Sequence, residues 1–91
     1  MTKTVTILDA LSDETRLSIV RQLAKEKEPI LSCNLVTSCG RALDLSQPTI
    51  SHHLKKLVNA DVISEQKVGK QKLYALNAES LLEIGIDASK L

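Results

Sequence analysis

Ninety-one residues, 43% of them apolar, fit one domain with a single core and leave no room for two separate ones. The net charge of +1 conceals an asymmetry: residues 46–77 hold five lysines against two acids, residues 1–45 hold six charges of each sign, and residues 78–91 hold one lysine and three acids. No apolar run approaches the roughly 20 residues needed to cross a bilayer, and the first residues lack the apolar stretch of a secretory leader, so the expectation is a cytoplasmic chain with no membrane partner.

Taken in chain order, Val5, Leu8 and Leu11 predict a short first helix over about 5–11. Ser12 is the expected N-cap of a second helix, with Asp13 and Glu14 in its first turn and Leu17, Val20, Leu23 and Ala24 on its apolar face. That helix fades at the charged run from Lys25 to Glu28, before Pro29. A third helix is expected over about 32–43, where Leu35, Cys39, Ala42 and Leu43 recur at helical spacing despite Gly40. Asp44-Leu45-Ser46 reads as a tight turn, and Ser46 caps a fourth helix that accepts Pro48 in its first turn and runs to about Asn59. From Val62 the pattern becomes a strand, a turn at Val68-Gly69-Lys70 and a second strand through Leu76. Asn77 caps a last short helix over about 78–84 carrying Leu81, Leu82 and Ile84, followed by Gly85 and a mixed tail.

The fourth helix carries the chemistry. On a wheel of about 100° per residue with Ile50 at zero, Leu54, Leu57 and Val58 fall within about 80° of it. Pro48, Thr49, His52, Lys55 and Lys56 cluster on the opposite side, with Ser51 and His53 at the margins. Gln47, Thr49, Ser51 and His52 have the donors and acceptors that read base edges, and Lys55 and Lys56 neutralise phosphates. An ordinary solvated helix face explains this helix equally well. The hairpin adds Lys67, Lys70 and Lys72 around Gly69, a projecting basic tip that reaches a minor groove or phosphate backbone. Lysines also protect an exposed sheet edge. A basic helix with a two-helix lead-in directly before a basic hairpin favours double-stranded DNA as the partner.

Three ordered segments also carry a family resemblance. Leu11-Ser12-Asp13-Glu14-Thr15-Arg16-Leu17 resembles the opening motif of ArsR (arsenic-repressor) regulators, and Leu45-Ser46-Gln47-Pro48-Thr49-Ile50-Ser51-His52-His53-Leu54 resembles their recognition-helix signature. Val68-Gly69-Lys70 through Tyr74-Ala75-Leu76-Asn77 is similar to their wing. The resemblance implies a mainly α fold with a β-hairpin wing, a winged helix-turn-helix over residues 1–91. It further implies a homodimeric transcriptional repressor that binds operator DNA, releases it when an inducer arrives, and pairs through its first and last helices. The residues themselves offer Val5, Leu8, Leu81, Leu82 and Ile84 for such an interface; completing the monomer core is their other reading.

Family members that sense metals use a Cys-x-Cys type motif on the third helix, and this chain departs from it. Cys33 and Cys39 lie six residues apart, about 240° around a helix and about 9 Å along it, so a continuous helix cannot aim both at one ion. Cys39 belongs to the core face and Cys33 to the helix start, where a lowered thiol pKa is one reading and an inert thiol the other. No metal site or cofactor is predicted, and a metal or thiol-reactive inducer remains the open signal class. Without a phosphate-binding Gly loop, HExxH, CxxC or triad spacing, an enzyme is not expected. The competing class is a winged-helix module that binds protein.

Overall fold

The computed structural model describes residues 2–91, and its order is helix α1 (Lys3–Leu11), helix α2 (Glu14–Ala24), strand β1 (Ile30–Leu31), helix α3 (Ser32–Leu43), helix α4 (Gln47–Asn59), strands β2 (Ile63–Val68) and β3 (Gln71–Leu76), helix α5 (Ala78–Glu83) and a terminal 3-10 turn (Ala88–Lys90). The helix starts follow from side chains that accept from backbone N–H groups left without helical partners. Thr2 accepts from Val5, Asp13 from Arg16, Ser46 from Thr49 and Asn77 from Ser80. Ser12 does not start the second helix as expected. It closes the first, its hydroxyl donating to the Asp9 carbonyl at 2.6 Å, and Asp13 takes the cap position.

One core joins all the helices. Ile7, Ile19, Val20, Leu35, Ile50, Leu54, Leu57, Val62, Ile63 and Leu81 are almost completely shielded from solvent. The buried face of α2 is Ile19, Val20 and Leu23, so the expected face through Leu17 and Ala24, both only half-buried, is displaced toward Ile19. Ala42, expected on the core face of α3, is exposed, and Val36 takes its place inside. The sheet holds a strand that no periodicity announces. Ile30 and Leu31 pair antiparallel with Tyr74 and Leu73, giving the order β1-β3-β2 and making β3 the central strand. Two residues are too few to display alternation, and only the partner strand defines them.

Gly40, a weakening residue inside a helix, has a packing reason. A Cβ there would stand 3.1 Å from the Leu45 carbonyl oxygen, because the α3–α4 turn folds back onto α3 and Leu45 donates its N–H to the Gly40 carbonyl at 3.0 Å. Asp44 makes this turn in the left-handed conformation (φ 55°). The result is a two-helix unit in which α4 lies with one flank on the core.

Leu57 is wholly buried at the centre of that flank. Leu57→Ala is expected to lower unfolding stability by about 2–5 kcal/mol through lost burial and an unfilled cavity, measured by urea denaturation. A loss below about 1 kcal/mol would show that α4 is not seated on the core as described.

Candidate nucleic-acid interface

The burial of α4 divides it as the wheel predicts. Ile50, Leu54 and Leu57 face inward, and Val58 is half-buried. Gln47, Pro48, Ser51, His52, Lys55 and Lys56 are exposed. Thr49 is the exception among the expected reading residues: it is half-buried, and its hydroxyl lies 2.9 Å from the Ser46 hydroxyl inside the helix cap. Its side chain is occupied in starting the helix, which reduces what it offers to a base edge.

The hairpin stands beside this helix. Gly69 occupies the turn with φ +61°, a conformation that costs an L side chain strain but glycine little. Register places Lys67 directly across from Lys72, and Glu65 across from Tyr74. With period-two alternation these four side chains share one face of the ribbon. Glu65 is the only acid on it: its carboxylate lies 3.6 Å from the Lys72 ammonium and accepts from the Tyr74 hydroxyl at 3.1 Å. Burial, then the Glu65 carboxylate, push the Tyr74 phenol up to about 12, so it stays a neutral donor. Among the described residues Lys55, Lys56, Lys67 and Lys70 make no ion pair and present their charge to solvent.

Between α4 and the wing runs a groove of about 800 Å³, with Gln47, Ser51 and Lys55 on the helix wall and Lys70, Gln71 and Lys72 on the wing wall. Its floor includes Val36, Val58 and Tyr74, and Cys33 at the start of α3 forms part of the rim. Of the nine expected DNA-contacting residues, Gln47, Ser51, Lys55, Lys70 and Lys72 line the groove, whereas Thr49, His52, Lys56 and Lys67 lie outside it. The thiols separate as their positions imply: Cys33 is exposed, whereas Cys39 is buried and its thiol is pushed up by desolvation, away from the reactive thiolate. Among the described residues no three His, Cys, Asp or Glu side chains gather to hold a metal ion.

The five expected interface residues also separate. Val5, Leu8 and Leu82 are about half exposed or more, at 48%, 50% and 62%, and among the described residues they account for three of the four exposed large apolar side chains. Leu81 is fully buried and Ile84 half-buried against the same core, so Leu81 belongs to the monomer interior and corrects the expectation that it faces a partner. The six-residue α5 turns Leu81 inward and Leu82 outward because adjacent helical positions differ by about 100°.

Sequence reasoning left His53 and Arg16 without a role. His53 points from α4 toward the α1–α2 corner, where its Nδ1 lies 3.4 Å from Arg16 Nη1 and 3.9 Å from Asp13 Oδ2. Arginine has no acceptor, so the Arg16 contact is a hydrogen bond in the tautomer that leaves Nδ1 free to accept, with the proton on Nε2. The signal was the marginal wheel position of His53, which an isolated wheel cannot assign to either side.

A two-helix reading unit followed by a basic hairpin, with the reading flank free and its opposite flank in the core, defines a winged helix-turn-helix regulator. The model of the bacterial regulatory protein arsR family matches residues 13–65, more than half of the chain. The chain is 38% identical over 78 residues to the arsenical resistance operon repressor of Staphylococcus xylosus, covering 84% of this chain and 67% of that protein. Among solved structures, the ArsR-like transcriptional regulator from Rhodococcus sp. RHA1 is 27% identical with a TM-score of 0.72, covering 89% of this chain and 71% of the other. The homodimeric winged helix-turn-helix DNA-binding domain Mb0332 from Mycobacterium bovis has the same fold, with a TM-score of 0.72 at 20% identity over 90% of this chain and 70% of that one. This chain belongs to the arsR family of bacterial regulatory proteins and is a transcriptional regulator, not an enzyme.

The His53 imidazole is held below its ordinary value of 6.5, first by burial and then by the nearby charges of Arg16 and Lys56 and by the neighbouring His52, against the opposing pull of Asp13. The unfolded chain therefore binds this proton more readily, and the stability His53 contributes is present above about pH 6.5 and lost as pH falls through its lower folded value. Denaturation midpoints measured from about pH 7.5 to 5.5 are expected to fall, and His53→Asn is expected to flatten that part of the curve. An unchanged slope in the variant would assign the dependence to another group.

Proposed function

We propose that two copies of this chain bind a palindromic DNA operator in the cytoplasm as a repressor, with α4 of each copy in a major groove and the wing on the flanking backbone or minor groove. The observation that carries this reading is the groove between α4 and the wing, whose two walls bring Lys55, Lys70 and Lys72 together beside Gln47 and Ser51. Like charges directly opposite in a hairpin are unfavourable, and Lys67 and Lys72 are so placed. A phosphate between them relieves that repulsion. Dimerisation is supported by the exposed Val5, Leu8 and Leu82 on the two terminal helices, which the exposed 2.6 Å Lys3–Glu83 ion pair links. Two-fold pairing presents two reading helices about 34 Å apart, hence half-sites one turn apart. Release of the operator by an inducer completes the cycle, and Cys33 at the groove rim is the thiol open to a thiol-reactive one.

Duplexes selected from a random pool by the full chain test the reading. A palindromic motif and affinity falling steeply with salt are expected, whereas salt-insensitive binding to a protein with no affinity for duplex DNA would establish the protein-binding alternative. Lys70→Ala is expected to weaken selected and random duplexes alike and to reduce the salt slope by about one. Gln47→Ala and His52→Ala are expected chiefly to lower discrimination, by about 1–3 kcal/mol for a lost base contact. Equal losses on all duplexes for all three variants would contradict this division of labour.

Leu82→Glu is expected to yield a folded monomer with much weaker operator affinity, because each half-site must then be bound independently. Leu82 lies outside the core, so the fold itself is spared. Sedimentation showing unchanged mass would place the dimer interface elsewhere.

A further inference from the structure

The segment Leu11–Leu17, one of the three that carry the resemblance, supplies no wall of the DNA-facing groove and none of the exposed apolar side chains of the terminal helices. Its polar side chains instead build a joint between three helices. Ser12 Oγ donates to the Asp9 carbonyl at 2.6 Å, and Asp13 Oδ2 accepts the Arg16 N–H at 3.0 Å. Arg16 spreads its guanidinium across both neighbours. Nε donates to the Ala10 carbonyl at 2.7 Å, Nη2 to the Asp9 carbonyl at 3.4 Å, and Nη1 to His53 Nδ1 on α4 at 3.4 Å.

Asp9 and Ala10 lie in the last turn of α1, where carbonyls lack helical partners and the helix dipole is negative, so a guanidinium is well matched there. The third arm reaches the helix that carries the reading face. Apart from the contacts of His53 with Arg16 and, at 3.9 Å, with the Asp13 carboxylate, α4 is seated by apolar side chains: Ile50, Leu54 and Leu57. Apolar burial is non-directional, so it selects which flank is down without fixing rotation or sliding closely. A planar fork that holds two α1 carbonyls and extends one directional contact to α4 relates the two helices in a way that apolar burial does not.

We propose that Arg16 is a positioning residue that sets the pose of α4 relative to α1, and through it the half-site spacing that the dimer accepts. His53 is the receiving end of this joint. The proposal rests on the dimeric DNA-binding reading above: α1 carries Val5 and Leu8 to the partner while α4 carries Gln47 and His52 to the operator, so the angle between them sets the distance between two reading helices. Neither residue touches DNA in this scheme.

The test uses the full chain and the selected operator, rebuilt with the spacer shortened or lengthened by one or two base pairs, alongside a duplex holding one half-site. Wild type is expected to prefer one spacer on the order of tenfold over its neighbours. Arg16→Gln and His53→Ala are expected to reduce that preference to about threefold or less, with dimer mass and single half-site affinity unchanged. His53→Asn, whose Oδ1 replaces the accepting Nδ1, is expected to retain the preference. Should Arg16→Gln fail to fold, His53→Ala decides the matter, since it leaves every Arg16 contact with α1 in place. Unchanged spacer preference in folded variants would overturn the proposal, as would losses of equal size on every spacer and on the single half-site. A wild-type chain that binds no duplex, or binds every spacer equally, would instead overturn the dimeric DNA-binding reading on which the proposal rests.

Discussion

Burial of Ile50, Leu54 and Leu57 is the constraint on which the molecule turns. Three side chains at helical spacing bind α4 to the core by one flank, and since a helix has only two flanks the other must face water. The surrounding structure exists to make that seating possible. Gly40 lets the α3–α4 turn approach closely, Asp44 turns the chain in the left-handed region, and Ser46 starts the helix where the turn ends. Exposure of Gln47, Ser51, His52 and the paired lysines is a consequence of packing on the far side of the same helix.

The wing applies a second constraint to the same surface. Because β3 is held from both sides, by β1 as well as β2, the hairpin projects from a three-stranded sheet and not from a loose two-stranded ribbon. Tyr74, the only aromatic residue, anchors it: the ring is buried and the hydroxyl donates to Glu65. Glu65 in turn offsets part of the charge of Lys72, leaving Lys67 and Lys70 as the unbalanced cations near the tip. Positive charge is thus concentrated beyond the anchored part of the hairpin, at its solvent-facing tip.

The terminal helices show how a small chain divides its apolar residues between its own core and another surface. Ile7 and Ala10 of α1 point inward while Val5 and Leu8 point outward, and Leu81 and Leu82 of α5 do the same at adjacent positions. Hydrophobic character is the same on both sides, so composition cannot distinguish them. Asp61 stands in the left-handed conformation after α4. It accepts from Asn77 and from the buried Ser80, which ties α5 to the start of the wing.

The amino-acid order alone determined what is local. The extent of α4, the Ser46 and Asn77 caps, the turn at Gly69 and the basic flank of α4 follow from spacing, capping and turn chemistry, which act within a few residues, whereas the start of α3, at Leu31 with no side-chain cap, carries no such signal. Tertiary structure alone decided what depends on a distant partner. Strand β1 is a strand because Tyr74 and Leu73 pair with it, Leu81 is interior because α5 docks as it does, and Arg16 meets His53 across 37 residues of chain. A two-residue strand, one leucine of a pair and a histidine on a wheel margin carry no signal until the folded neighbours supply the other half of the contact.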